Sequence, residues 1–187
     1  MSPPSTSPAL GQPPASGWTA DIDRLAPPRE ARGWLTESGL LTERVRSLCG
    51  GTFGLRIVDE RLDLLSPEDA AALEVADLSA FVREVELTCD DRPQVFAQTL
   101  VPSATLAAQP WLAQLGDTAL GPRLASLGGA LRDPLEYSLL SPGESLCERA
   151  LHGSGLDRNG LWARRARYRL GPHCLVVQEV FLPEALA

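Results

Sequence analysis

Lysine is absent from this 187-residue chain, so all 17 of its basic residues are arginine. A lysine Schiff base is therefore excluded. Histidine occurs twice, at His152 and His173, and the four cysteines, Cys49, Cys89, Cys147 and Cys174, show no C-x-x-C spacing. No zinc framework follows from that set, and no metal is expected. Cys89 and Cys174 fall in apolar, strand-like runs, where a free thiol acts as a small hydrophobe. Free thiols at those two positions and a reducing cytoplasm are the expectation. No stretch approaches the roughly 20 apolar residues of a membrane span. The opening MSPPSTSPALGQPPASG has neither the basic region nor the apolar core of a secretory signal. With a formal net charge of -7, the chain lacks the positive field that binds phosphate backbones, so no nucleic-acid partner is expected. Arg165, Arg167 and Arg169 alternate onto one strand face, a short basic stripe that reads as a solvated sheet surface.

What is present suits one soluble domain, since 44% hydrophobic content over 187 residues can bury one substantial core. Residues 1–16 are rich in Pro, Ser and Gly, too polar to offset their ordering entropy, and are expected to be a disordered tail before a single domain over 17–187. Trp34, Leu35, Leu40, Leu41, Val45 and Leu48 have helical spacing. Phe53, Leu55 and Ile57 alternate as a first strand. Ser66 and Pro67 form a helix start. Phe81 to Cys89 and Gln94 to Val101 form a hairpin around Asp90-Asp91. Two short helices separated by Gly116 lie within Thr105 to Ser126, and another strand within Leu135 to Leu140. The Gly-rich run SPGESLCERALHGSGLDRNG reads as a loop. His152 and Ser154 within it lack the Gly-x-Ser-x-Gly elbow of a hydrolase. Leu161 to Leu170 and Cys174 to Pro183 form a terminal hairpin about Gly171-Pro172. Short turns between neighbouring strands imply a largely antiparallel sheet, with helices packed on one face, an α+β fold. Arg61 to Leu65 is the place for any strand still missing.

The informative residues are charges on strand faces that ought to be buried. Leu175, Val177, Glu179 and Phe181 share one side of a strand. Trp162, Arg164, Ala166, Tyr168 and Leu170 share another, and Phe81, Arg83, Val85, Leu87 and Cys89 a third. Each face carries one charge among apolar neighbours. An ionised group taken from water without a partner costs several kcal/mol or more. Either Glu179 forms a structural ion pair with Arg83 or Arg164, or the three line a closed cavity for an anionic ligand. Arginine fits the second task because its planar fork holds carboxylates bidentately.

At these residues the chain resembles the chorismate lyase (chorismate pyruvate-lyase) family. The matching stretches are WLTESGLLTER, FVREVELTCDDRPQVFAQTLVP, LGDTALG, LWARRARYRL and VVQEVFLP, in the family's order and covering most of Trp34 to Pro183. The resemblance implies a six-stranded antiparallel sheet with an enclosed ligand cavity. It implies a cytoplasmic, monomeric lyase that removes pyruvate from chorismate to leave 4-hydroxybenzoate for ubiquinone, without metal or organic cofactor. Arg83 is then expected to pair with the ring carboxylate and Glu179 to meet the ring hydroxyl. Contacts at Leu41 and Leu120 are expected from main-chain groups. Leu41 stands where the family suggests methionine. Arg164 is added from its apolar face, as a partner for the enolpyruvyl carboxylate or as a structural partner of Glu179. A non-catalytic alternative is an aromatic-acid-binding or effector-sensing domain, since effector domains of some bacterial regulators are similar to this fold. A winged-helix domain would then precede it, whereas about 50 residues come before the first strand.

Overall fold

The computed structural model describes residues 17–151 and 160–186. The expected disordered tail, 1–16, and His152 and Ser154 lie outside them. Strands β1 (Phe53–Leu64), β2 (Ser79–Cys89), β3 (Arg92–Pro102), β4 (Ala130–Arg132), β5 (Glu136–Leu140), β6 (Leu161–Leu170) and β7 (His173–Phe181) form one sheet. Its order is β1-β2-β3-β7-β6-β4, with β5 also on β6, and every pairing is antiparallel. The α+β, antiparallel expectation holds. The strand beyond the six expected is the three-residue β4, too short for periodicity to reveal, while Arg61 to Leu64 simply extends β1.

Helices α1 (Arg29–Leu35) and α2 (Leu41–Leu48) lie over one face. Trp34, Leu35 and Val45 pack there on Leu87, Val95 and Phe181. Next to them, α4 (Ser103–Ala108), a 3-10 turn at Pro110–Gln114 and α5 (Leu120–Ser126) cover Phe81, Val101 and Leu175. The opposite face is not bare as expected. There α3 (Pro67–Leu73) packs on Val82, Leu100 and Val176, and α6 (Ser145–Leu151) on Phe96, Ala163 and Val180. The sheet is thus covered on both faces, because even positions of β2 and β3 also carry apolar side chains, among them Val82, Phe96 and Leu100. Helix α6 falls in the run expected to be a loop; Cys147, Ala150 and Leu151 recur at helical spacing and are buried.

The far face also holds charge. Glu84, fully buried, accepts from Gln98 Nε2 at 2.8 Å, from Arg61 Nη1 at 3.2 Å and from both Nε and Nη2 of Arg149. Burial alone would raise the pKa of that carboxyl, but these donors outweigh it and hold it below the usual range. The stripe expected to be solvated is instead neutralised. Arg165 bonds Glu136 at 2.7 Å, and Arg167 is bridged to Asp133 and Glu74, both at 2.8 Å.

Two turns follow local chemistry. Asp90 and Asp91 both take positive φ, 48° and 61°, the pair of left-handed residues that a two-residue hairpin requires. Ser66 caps α3 by accepting from Asp69 N at 3.1 Å, ahead of Pro67.

The free-thiol expectation is overturned at Cys89 and holds at Cys174. Cys49 and Cys89 form a disulfide, with Cα atoms 5.5 Å apart, while Cys147 and Cys174 are free. The expectation of a reducing environment loses the support of a free Cys89. The bond ties the end of α2 to the end of β2, 40 residues apart in sequence. Closing a loop of that length in the unfolded chain is worth on the order of 2–4 kcal/mol. Thiol titration of the denatured, unreduced protein should find only the two thiols of Cys147 and Cys174. Cys49→Ala/Cys89→Ala should lower unfolding stability by about 2–4 kcal/mol, read from the denaturant midpoint.

Candidate active site

A cavity of ≈ 300 Å³ lies between the inner face of the sheet and the starts of α2 and α5. It is lined by Leu41, Arg83, Leu120, Arg164 and Glu179, so all five expected site residues meet there. The sheet register accounts for this. Glu179 on β7 pairs with Ala97 on β3, which pairs with Val85 on β2, and Thr99 links Val177 to Arg83 in the same way. Arg83 and Glu179 are thus two strands apart, about 10 Å across the sheet, and offset by two residues along the strands, with the small side chain of Ala97 beside Glu179 leaving room between them.

Both buried arginines are heavily satisfied. Arg83, 2% exposed, donates from Nε to Glu60 at 2.8 Å and from Nη2 to the carbonyls of Gly116 and Thr118. Gly116 adopts φ +53°, a left-handed turn that a side chain would strain and that presents its carbonyl to the guanidinium. Among the described residues no hydrogen bond uses Arg83 Nη1. Arg164, also 2% exposed, donates from Nε to Glu179 Oε2 at 2.7 Å. Its Nη1 serves the carbonyls of Trp34, Leu35 and Glu37, the last at 2.6 Å. Trp34 and Leu35 close α1 and Glu37 follows its C-cap, so the guanidinium sits at a carbonyl end where a cation is favoured by the helix dipole. Of the pairings considered for Glu179, the ion pair is with Arg164, directly opposite it in the β6–β7 ladder. No hydrogen bond among the described residues uses Glu179 Oε1.

Leu41 and Leu120 open α2 and α5, and neither helix start has a side-chain cap. First-turn amide N–H groups have no partner within their own helix, so main-chain donors are available at both residues beside the cavity. The α1–α2 connection that carries Leu41 is pinned several times. Glu37 accepts from Gly39 N at 2.8 Å and Arg44 Nη1 at 2.7 Å, which together hold its carboxyl below the usual range.

Sequence reasoning missed three participants. Glu60 was hidden by a bulge. The ladder runs Ile57↔Val85 and then Asp59↔Glu84, so the side-chain phase of β1 flips and Glu60, not Asp59, faces Arg83. Tyr168 stood on the right face beside Arg164 but was read as apolar. Burial, and then the charge of Glu179, raise its phenol pKa above the usual range. Arg132 comes from the short β4 and lines the cavity without any periodicity to mark it. No cluster of three or more His, Cys, Asp or Glu that could hold a metal occurs among the described residues. No helix among them is long and apolar enough to cross a membrane.

Among solved structures, PhnF from Mycobacterium smegmatis is similar over 81% of this chain and 67% of its own, with TM-score 0.57 and 16% identity. The C-terminal domain of the histidine utilization repressor from Pseudomonas syringae pv. tomato covers 72% and 94%, with TM-score 0.53 and 14% identity. At such identities the likeness concerns the fold. Sequence relatives are much nearer. A protein of Azoarcus sp. (strain BH72) named "Probable chorismate pyruvate-lyase" is 36% identical over 94% of this chain and 96% of its own. One of the same name from Halorhodospira halophila is 34% identical over 95% and 96%. The family described as chorismate lyase matches residues 14–186. With that match spanning the sheet, both helix starts and every buried charge of the cavity, the chain belongs to the chorismate lyase family.

Proposed function

We propose that this protein eliminates pyruvate from chorismate, leaving 4-hydroxybenzoate for ubiquinone synthesis, and needs no metal or organic cofactor. The observation that carries the reading is the arrangement of Arg83 and Glu179 in one small cavity, two strands apart. Chorismate has a ring carboxylate at one end and a hydroxyl opposite, with an enolpyruvyl ether beside the hydroxyl. Its elimination creates an aromatic ring, so the driving force resides in the substrate. The protein has to bind, orient and exclude water.

Arg83 Nη1 and the first-turn amides of Leu41 and Leu120 receive the ring carboxylate. Glu179 Oε1 meets the ring hydroxyl, and Arg164 holds the other carboxylate oxygen, fixing the side chain's orientation. The apolar walls from Val85, Leu87, Ala97 and Val177 confine the ring and strengthen these polar contacts by lowering the local dielectric.

Purified protein given chorismate should release pyruvate, and turnover should survive exhaustive treatment with EDTA. Loss of activity that divalent metal restores would overturn the cofactor-free reading. Arg83→Ala should weaken 4-hydroxybenzoate binding at least tenfold, as loss of a charge-assisted hydrogen bond of about 1.5 to 3 kcal/mol implies. Titration of the folded variant checks this, and unchanged affinity would remove Arg83 from the site.

Glu179→Gln separates chemistry from architecture. The amide oxygen can still accept from Arg164 Nε, and that guanidinium keeps its three carbonyl acceptors. The stability loss should therefore fall below the roughly 3–5 kcal/mol of a broken buried pair. Turnover should drop while 4-hydroxybenzoate binding persists, since the amide replaces a carboxylate at the reacting end. Pyruvate release and the denaturation midpoint, measured on the same variant, test both halves.

A further inference from the structure

The cavity carries more cationic capacity than the ring carboxylate uses. Three guanidinium groups line it, those of Arg83, Arg132 and Arg164. Two have a carboxylate of their own: Arg83 bonds Glu60 and Arg164 bonds Glu179. Arg132 has no carboxylate within ion-pair distance among the described residues. Its one hydrogen bond to the main chain runs from Nη2 to the Ser38 carbonyl at 3.1 Å, across 94 residues. Ser38, Gly39, Leu40 and Leu41 line the same cavity, so this contact lays the guanidinium against the α1–α2 connection, at the cavity's edge. Arg132 is otherwise exposed and its side chain also hydrogen-bonds the Tyr168 phenol, which leaves guanidinium N–H groups for a ligand, since the group carries five.

Tyr168 lies directly opposite Arg132 in the β4–β6 ladder and four residues from Arg164 on the same strand face. Its ring also lines the cavity. Burial and the Glu179 carboxylate push its pKa up, while Arg132, within reach of the phenol, acts in the other direction. The phenol thus lines the same cavity as Glu179 and accepts a hydrogen bond from Arg132. Arg164, the other arginine that could receive a second anion, has Nε and Nη1 committed to Glu179 and to the end of α1.

We propose that Arg132, positioned by Tyr168 and by the Ser38 carbonyl, receives the second carboxylate of a dicarboxylate substrate. Under the function proposed above, on which this inference rests, that is the carboxylate of the enolpyruvyl group that departs. The product that stays keeps only the ring carboxylate, so Arg132 distinguishes substrate from retained product and Arg83 does not. Arg164 then serves as a positioning residue for Glu179.

The test compares two ligands that differ by this one group. KM for chorismate, from pyruvate release, and Kd for 4-hydroxybenzoate, from titration, are measured for the wild-type protein and for Arg132→Gln, Arg132→Lys and Tyr168→Phe. Arg132→Gln should raise the chorismate KM at least about tenfold and leave the 4-hydroxybenzoate Kd within about twofold. Arg132→Lys should recover part of the loss, since the charge remains without the planar fork. Tyr168→Phe should shift the chorismate KM in the same direction by less. An unchanged chorismate KM in Arg132→Gln overturns the inference. So does an equal loss for both ligands, which would mean that Arg132 only holds the Ser38 segment in place. Should the wild-type protein bind chorismate without releasing pyruvate, the proposed reaction fails, and the Kd of chorismate replaces KM in the same comparison. Absence of any chorismate binding overturns both.

Discussion

Two guanidinium groups on the inner face of the sheet, each 2% exposed, set the terms for everything built around them. A buried arginine must have nearly all its N–H groups matched, and no single carboxylate can do that. Arg83 therefore draws in a carboxylate from β1 and carbonyls from the segment before α5. Arg164 draws in a carboxylate from β7 and the carbonyl end of α1. These carbonyls belong to the two segments that lead into Leu41 and Leu120. Satisfying the charges and roofing the cavity are thus the same construction, and an apolar replacement for either arginine would loosen the roof as well as the floor.

The opposite face solves a similar problem with a different result. Glu84 is surrounded by Gln98, Arg61 and Arg149 so fully that no oxygen is left for a ligand, and the consequence is to fasten α6 to the sheet. The contrast with Glu179, whose Oε1 remains unused among the described residues, separates a structural carboxylate from one facing a cavity. Burial fails to make that separation, since Glu84 is the more buried of the two. The count of unused donors and acceptors succeeds.

The faces of β2, β6 and β7 were legible in the sequence because a period of two survives wherever a strand is regular. Arg83, Arg164 and Glu179 each stood out as one charge in an apolar row, and the row fixed which way they point. Leu41 and Leu120 were legible only through family likeness, since their contribution comes from the backbone at a helix start. Glu60 was illegible because the bulge in β1 breaks the period that would have revealed it, and Arg132 because three residues are too few to show one. The disulfide was illegible for another reason: Cys49 and Cys89 become neighbours only when α2 lies down on the sheet, and spacing carries no record of that. Helix α6 was readable in Cys147, Ala150 and Leu151, but the glycines around it outweighed three apolar residues.

The sheet order also bears on the sequence in which the molecule can assemble. Arg83 meets Glu60 across 23 residues, and Arg164 meets Glu179 across 15. The β3–β7 seam that joins the two halves pairs residues such as Leu100 and Val176, far more distant in the chain. The entropic cost of closing a loop grows with the logarithm of its length, so each guanidinium can find its carboxylate within its own half before the seam forms. The two cavity arginines then reach the seam already paired, whereas Glu84 meets Arg149 only as the halves come together. The desolvation that would make a buried arginine an obstacle to folding falls on neutral pairs instead of on lone ions.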